Sequence, residues 1–396
     1  MTATFHRLLL VALALAGLAG GCAEAPRKGG ASREIVFPSP PEEPRFVFER
    51  SLYTSADVTE EDRNAMLRRA LTGEGERGGE GMAKPYGIAA SAGRIYVSDP
   101  VAQTIKLFDI PAKKYATIGA DPQDQLVQPL GLDVDAKENL YVVDAVTKQV
   151  KVYDAKGKFL RLLGGPKMLS RPSGVAVSPG GERVYVVDTG GVQRHEEHRV
   201  RVFDGASGAH LFDFGKRGTG EGEFNLARDA AVAPDGRVYV VDSGNFRIQV
   251  FDRDGKFLKA FGGVGRYPGN FARPREIAID REGRVYVSDA AFGNVQIFDG
   301  DGQLLMHIGE RSERDQPARY MLPSGVAVDR DGRLYLADEF FRRVDVFRPA
   351  ALKAGEGHAA GSAMPAAAAG GALPAATGGA AASPAGGTVP VEPKSK

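Results

Sequence analysis

The sequence predicts an all-β protein built from six four-stranded units that close into a ring. A tetrapeptide of the form Tyr-(Val/Leu)-X-Asp recurs six times, at intervals of 45, 44, 54, 47 and 49 residues. Short runs that alternate in polarity or are rich in β-branched residues surround each copy. They break at Asp-Gly pairs, which is the pattern of strands joined by tight turns. Intervals of this length suit one four-stranded unit better than a pair of helices.

The stretch from residue 236 to residue 262, GRVYVVDSGNFRIQVFDRDGKFLKAFG, shows how one unit is built. It contains three alternating segments separated by turn residues, and a further apolar segment precedes it. A single four-stranded meander leaves both of its faces uncovered, so several such units must pack side by side around an axis. Closing the circle also removes long exposed strand edges.

Six copies of the pattern P-x-G-(I/V/L)-x-V … (V/L)-Y-V-x-D … (I/V)-x-(V/I/L)-(F/Y)-D … G resemble NHL repeats. The copies begin near residues 84, 127, 171, 224, 271 and 320. The resemblance implies a six-bladed β-propeller over residues 43–348. The chain contains no tryptophan, which excludes the related WD repeat.

The two ends of the repeat region do not match. The sixth copy lacks a fourth strand, whereas residues 43–53, EPRFVFERSLY, read like a fourth strand and precede the first copy. We therefore expect residues 43–53 to close the ring as the outer strand of the last blade. Residues 22–42 are expected to form a tether, and the Ala/Gly/Pro-rich residues 354–396 a disordered tail.

One short helix is predicted between the closing strand and the first repeat, over residues 59–71. Thr59 and Asp62 provide capping groups, and Gly73 follows the end of the helix. The apolar stripe expected on this helix consists of Met66, Leu67, Ala70 and Leu71.

The first 21 residues have the features of a secretory signal: a basic Arg7, an apolar run and a stretch of small residues that ends at Cys22. The small residues and Cys22 resemble the lipobox of bacterial lipoproteins, although Ala19 stands where leucine is usual. The resemblance implies acylation of Cys22, for example by palmitate, and anchoring in a membrane of the cell envelope. Ala23, rather than aspartate, implies the outer membrane and leaves open which side the protein faces. The alternative is ordinary signal cleavage beside an incidental cysteine.

The six repeated aspartates suggest an active-site ring, but a structural role is the better interpretation. In NHL repeats this aspartate follows the second strand and caps the adjoining loop, and Asp side chains favour such local hydrogen bonds to the backbone. We therefore predict turn-capping roles for Asp99, Asp144, Asp188, Asp242, Asp289 and Asp338.

The third repeat carries an expanded loop, GGVQRHEEHRV, over residues 190–200. Its two histidines, His195 and His198, together with the two glutamates between them, offer a set of possible metal ligands. The histidines are three positions apart and no helix is expected there, so the loop does not match the zinc-protease motif. A solvated polar loop is the preferred interpretation, and no organic cofactor is predicted.

A candidate binding site comes from breaks in the repeat. The residue pair that opens the innermost strand ends in glycine in four copies, but it is Arg228-Asp229 in the fourth and Arg275-Glu276 in the fifth. Innermost strands line the central channel, so these four charges should meet at its mouth. Tyr267 and Tyr320, on the long connecting loops, are predicted to join them there. The alternative is that the charges pair only with one another.

The composition excludes some classes of function but does not identify one. A net charge of +1 argues against a dedicated nucleic-acid partner, and a single cysteine excludes both a disulfide framework and a cysteine zinc site. We expect a binding or scaffolding module for an envelope protein or a small ligand. The alternative is a metal-dependent enzyme of the lyase or lactonase type found among six-bladed relatives.

Overall fold

Six antiparallel sheets follow one another along the chain in the computed structural model, which describes residues 34–61, 63–72, 78–190 and 197–359. We number the sheets as blades one to six. Their strands, from the innermost outward, are Ile88–Ser91, Arg94–Asp99, Thr104–Asp109 and Lys114–Ile118 in blade one; Pro129–Val134, Leu140–Asp144, Gln149–Tyr153 and Phe159–Gly164 in blade two; and Pro172–Val177, Arg183–Asp188, Arg199–Asp204 and His210–Phe214 in blade three.

The remaining strands are Ala227–Val232, Val238–Asp242, Arg247–Phe251 and Phe257–Gly262 in blade four; Pro274–Ile279, Val285–Asp289, Asn294–Phe298 and Leu304–Ile308 in blade five; and Pro323–Val328, Leu334–Asp338, Arg343–Pro349, Phe46–Leu52 and Val36–Phe37 in blade six. Innermost strands of consecutive blades pack against each other, and that of blade six packs against that of blade one. The protein is therefore a six-bladed β-propeller, and the predicted fold class is confirmed.

The core lies between the blades, where strands of neighbouring sheets press side chains of both faces together. One buried cluster joins Tyr141 and Val150 of blade two to Val175 and Val184 of blade three. The tyrosine of every repeated tetrapeptide is 0–1% exposed, so the residue that marks the repeat in the sequence is a core residue in each blade.

Blade six is completed from the other end of the repeat region. The strand Phe46–Leu52 pairs antiparallel with Arg343–Pro349 and buries Leu52 fully, in the position where the sequence places the closing strand. The strand Val36–Phe37 then adds a fifth, outermost strand. This part of the predicted tether is therefore structured, because the ring of Phe37 packs edge-on against Phe347 at a centroid distance of 5.9 Å.

The helix runs from Arg63 to Thr72, and its predicted apolar stripe does not pack against the described part of the propeller. Met66, Leu67 and Leu71 are 53%, 59% and 77% exposed. Of the predicted capping groups, Thr59 donates its hydroxyl to the Ser55 carbonyl, whereas Asp62 and Gly73 lie outside the described residues. No helix among the described residues is long and apolar enough to cross a membrane.

The start of the predicted tail is ordered as far as Ala359. Arg333, at the inner side of blade six, donates a 2.6 Å hydrogen bond to the carbonyl of Glu356, and Ala359 is 1% exposed in the cluster shared by blades six and one. These contacts move the predicted boundary from residue 354 to beyond residue 359. Residues 360–396, the signal segment and Cys22 lie outside the described residues.

Candidate binding site at the channel mouth

The antiparallel register brings two kinds of loop to one face of the propeller. Each innermost strand begins opposite the end of its second strand, as in the pair Pro172 and Asp188. The loops that lead into innermost strands and the loops that join second to third strands therefore lie on the same face, which we call the mouth face.

The repeated aspartates hold the loops of this face in place. Asp338 accepts hydrogen bonds from the backbone N–H groups of Met321 and Leu322, which precede the innermost strand, and of Phe340 and Phe341, which follow the second strand. In all six blades the carboxylate is fully buried and accepts N–H groups from the segment that leads into the innermost strand. These are structural contacts, and the carboxylates point away from solvent.

The mouth itself is bridged by an aromatic and two basic side chains. Nη1 of Arg228, in blade four, lies 3.3 Å from the hydroxyl of Tyr86, in blade one on the opposite side of the ring. The guanidinium of Arg275, in blade five, stacks over the Tyr86 ring at 5.2 Å from its centroid. The three residues share one register position, the second residue of the segment that opens each innermost strand.

The two arginines differ in whether a carboxylate pairs with them. Nη2 of Arg275 lies 2.5 Å from Oε1 of Glu339 in blade six, and both side chains are nearly buried. Nζ of Lys84 lies 3.6 Å from the other oxygen of Glu339. Arg228 is half-buried, and no carboxylate of the described residues lies within ion-pair distance of its guanidinium. No ion pair therefore joins either arginine to Asp229 or Glu276, so the alternative in which these four charges pair only with one another is not what the described residues show.

Asp229 and Glu276 lie one layer below Arg228 and Arg275, at the position where the other four blades have glycine. A Cβ atom on Gly174 would overlap Oδ1 of Asp229, and a Cβ atom on Gly87 would lie 3.3 Å from Oε1 of Glu276. Glu276 thus reaches from blade five to blade one. The two carboxyl groups fill the space that the glycines leave at the channel axis, and each residue is 7% exposed.

Burial favours the protonated form of both carboxyls. It raises the pKa of Asp229 to about 8, although N–H groups of Ile277 and Ala230 donate hydrogen bonds to it. Burial, together with the nearby charge of Asp229, also raises the pKa of Glu276 well above its usual range. No hydrogen bond to the Glu276 carboxyl is found among the described residues. The nearby guanidinium groups of Arg275 and Arg228 act in the opposite direction and lower the pKa of Glu276, but less than burial raises it.

A third acid, Asp133, lies on the same face of an innermost strand, two residues further along than the glycine position. Its oxygens accept hydrogen bonds from the N–H groups of Val134, at 2.7 Å, and of Val177 in the next blade, at 2.8 Å. Burial raises its pKa to about 7. The sequence carries a signal for this residue, because the other five repeats have alanine at the same position.

Glu339 was also missed by the sequence analysis, although the repeat marks it. The residue after the tetrapeptide aspartate is Pro100, Ala145, Thr189, Ser243 or Ala290 in the first five copies and glutamate in the sixth. Comparing every position of the six copies, rather than only the opening pair of the innermost strand, identifies both Glu339 and Asp133.

Two predicted mouth residues lie elsewhere. Tyr320 is fully buried, and its hydroxyl donates a 2.9 Å hydrogen bond to Oδ2 of Asp345. Its segment, Arg319–Tyr320, pairs in parallel with Glu310–Arg311. Tyr320 lies three residues before Pro323, and the residue at this position is apolar and buried in the other copies too: Met82, Leu126, Leu169, Phe224 and Phe271. Tyr267 is 80% exposed on the loop between blades four and five and contacts none of the mouth side chains through its ring.

The histidine loop is only partly described. His195 lies outside the described residues, whereas His198 is buried, and its Nδ1 accepts a 3.1 Å hydrogen bond from the N–H of Leu226. This contact ties the loop of blade three to the start of blade four. Within residues 34–61, 63–72, 78–190 and 197–359, no group of three or more His, Cys, Asp or Glu side chains is placed to hold a metal ion.

Comparison with known proteins agrees with the geometry. The family model described as NHL repeat matches residues 224–251, which run from the loop before blade four to the end of its third strand. The chain carries an NHL repeat in a six-bladed β-propeller. The human NHL repeat-containing protein 3 is 32% identical over 128 residues, which is 28% of this chain and 33% of that protein. The rat E3 ubiquitin-protein ligase NHLRC1 is 37% identical over 94 residues, 24% of this chain and 22% of that protein.

The similarity to these NHL proteins is therefore confined to a few repeats, and the chain spans a third or less of each relative. Among solved structures, a gluconolactonase from Xanthomonas campestris superposes with a TM-score of 0.52 at 19% identity, over 68% of this chain and 86% of that one. At this level of identity the superposition shows that the fold is shared.

Proposed function

We propose that this NHL propeller is a binding module that recognises its ligand or protein partner at the channel mouth. The rigid blades hold the loops of the mouth face in fixed positions, which suits the presentation of a binding site. Tyr86, Arg228, Arg275 and Glu339 form the recognition layer, and Asp229 and Glu276 close the channel beneath it.

The observation that carries this proposal is the state of Arg228. Its guanidinium is half-buried and has the neutral hydroxyl of Tyr86 as its hydrogen-bond partner. No carboxylate of the described residues lies within ion-pair distance of it. Removing a positive charge from water without a counter-ion is costly, so a structural arginine would be expected beside an acid, as Arg275 is beside Glu339. An unpaired cation at a channel mouth is instead suited to a ligand that brings the missing negative charge.

We further propose that the protein is exported and anchored through Cys22 in the outer membrane. Support comes from the signal-like residues before Cys22 and from the position of this one cysteine in the chain. Two acyl chains give durable attachment, since each buried CH₂ group adds about 0.8 kcal/mol of membrane affinity.

Affinity capture from the native envelope tests the binding proposal. The lipidated protein, the Arg228→Met variant and the Arg253→Met variant would each be used as bait, and bound material would be identified by mass spectrometry. Arg253 is the matched control, because it is 70% exposed in the turn between the third and fourth strands of blade four, on the opposite face.

The proposal predicts that a bound protein or small molecule is recovered with the wild type and with Arg253→Met and is lost with Arg228→Met, while all three proteins melt alike. An exposed or half-exposed arginine without an ion pair contributes little to stability. Lower stability of Arg228→Met with undiminished capture would assign Arg228 a structural role and refute the site. Turnover of a lactone or related substrate by the purified protein would favour the enzymatic alternative.

A further inference from the structure

The mouth face carries exposed apolar side chains on three consecutive blades. Phe340 of blade six, Val101 of blade one and Val146 of blade two are 59%, 64% and 55% exposed. All three occupy the same loop position, the second residue after the repeated aspartate. Blades six, one and two are neighbours in the ring, so these side chains line one side of the mouth.

The opposite half of the face differs at this position. Blades three, four and five have Gly190, Gly244 and Ala291 there, so they present no large side chain. The turn requires none, because the backbone of these loops is capped by the repeated aspartate whatever side chain follows it. The large apolar residues of blades six, one and two are therefore not explained by the fold. Leu226, Val264 and Tyr267, in the loops that lead into blades four and five, are further exposed apolar residues of the same face. Exposed apolar groups of this kind around a charged mouth are typical of an interaction surface.

Basic side chains beside these apolar residues place a second requirement on the ligand of the mouth face. The guanidinium of Arg228 projects from blade four to the hydroxyl of Tyr86 in blade one, which lies between blades six and two. Lys84, whose side chain is 47% exposed, precedes Tyr86 and lies beside Glu339. Glu339 is already paired with Arg275, so Arg228 is a basic group of this cluster that forms no ion pair within the described part of the chain.

We infer that the mouth binds a protein partner through an acidic side chain flanked by large apolar residues. This inference rests on the proposed function and specifies its ligand. The acidic group would pair with Arg228 above Tyr86, and the flanking residues would cover Phe340, Val101 and Val146. An apolar contact surrounding a single charge pair excludes water from it and makes the pair selective.

Selection from a random dodecapeptide phage library against the immobilised full chain tests this inference. The consensus peptide would be synthesised with a fluorescein label, and its affinity measured by fluorescence anisotropy. The variants are Arg228→Met and Phe340→Ser on the mouth face. The controls are Arg253→Met on the opposite face and Leu160→Ser in the outer strand of blade two, where Leu160 is 42% exposed.

The expected consensus contains aspartate or glutamate with large apolar residues within four positions. Arg228→Met should weaken binding of the peptide at least tenfold, Phe340→Ser at least threefold, and both controls less than twofold. A peptide in which the acidic residue is replaced by its amide should bind the wild type as weakly as the acidic peptide binds Arg228→Met. The amide should cause no further loss in that variant, because the two changes remove the same interaction.

Selected peptides without an acidic residue, or additive effects of the amide and Arg228→Met, would overturn the inference. These outcomes are distinct from failure of the proposed function. If envelope capture still depends on Arg228 while no acidic peptide is selected, the mouth binds a ligand of another class, and only the inference is wrong. If neither capture nor peptide binding depends on Arg228, both are wrong.

Discussion

Replacing Asp133 by alanine is expected to change the free energy of unfolding by an amount that depends on pH. Burial raises the pKa of this carboxyl to about 7 from an ordinary value of 3.8. Between these two values the folded protein holds a proton that the unfolded chain has released. The contribution of Asp133 to the unfolding free energy of the wild type therefore falls as pH rises, by about 1.4 kcal/mol per pH unit, and levels off above the folded-state pKa.

Alanine is the natural replacement, because the other five blades have it at this position. It removes the titrating group and the two hydrogen bonds to Val134 and Val177. The lost bonds lower stability at every pH, whereas the lost carboxyl raises it only where the carboxyl would be charged. Relative to the wild type, Asp133→Ala should gain about 3 kcal/mol between pH 5 and pH 8, because two of these pH units lie below the folded-state pKa.

Urea denaturation at pH 5, 6.5 and 8, followed by far-ultraviolet circular dichroism, measures this difference; the chain has no tryptophan for fluorescence. Asp133→Asn is the companion variant, since it keeps the size of the side chain and also removes the titration. Its stability at pH 5 should differ from that of Asp133→Ala, but its change with pH should be the same. A stability difference between wild type and Asp133→Ala that is constant across the three pH values would refute the buried, protonated carboxyl.

Three further perturbations test other parts of the structure. Leu52 is fully buried in the closing strand, so Leu52→Ala should lower the unfolding free energy by about 2–5 kcal/mol. Leu160→Ala, at an exposed site, should change it little. Equal effects in urea denaturation would contradict the closure of the ring by this strand. Tyr320→Phe should cost roughly 1–3 kcal/mol, because Asp345 loses a buried donor, and should leave partner capture intact; lost capture with native stability would return Tyr320 to the binding site. Cys22→Ser should abolish acylation and release the protein from washed membranes, and undiminished membrane retention would count against the anchor.

The repeat pattern was sufficient to predict the fold because every blade uses the same residues for the same purpose. The tyrosine of the tetrapeptide is buried and its aspartate caps the adjoining loops in each copy, so six copies amount to six independent indications of one architecture. The register of the repeat also placed Arg228 at the level of Arg275, and Asp229 at the level of Glu276.

The partners of those residues could not be predicted from the register alone. Arg275 pairs with Glu339 of the next blade rather than with its neighbour Glu276, because the pairing depends on side-chain directions across the channel. The prediction that Tyr320 lies at the mouth was wrong for a different reason. The residue at this position is apolar and buried in all six copies, so the repeat itself marks Tyr320 as a core residue.

For the helix, the secondary structure was predicted from the local sequence, but the packing of its apolar residues was not. Residues 63–72 are helical, yet Met66, Leu67 and Leu71 remain exposed on it. Apolar spacing indicates a helix whether or not a surface is available to cover the stripe. The periodicity carries no information about what lies opposite.

Site-specific photocrosslinking in the native envelope tests the central claim, which is that the mouth face is the binding surface. The crosslinking residue p-benzoyl-phenylalanine would replace Phe340 on the mouth face in one protein and Arg253 on the opposite face in another. Both positions are more than half exposed, so the two proteins should fold alike. We predict a discrete protein adduct from position 340, lost when Arg228→Met is added, and none from position 253. An adduct from position 253 alone, or one from position 340 that persists with Arg228→Met, would contradict the claim.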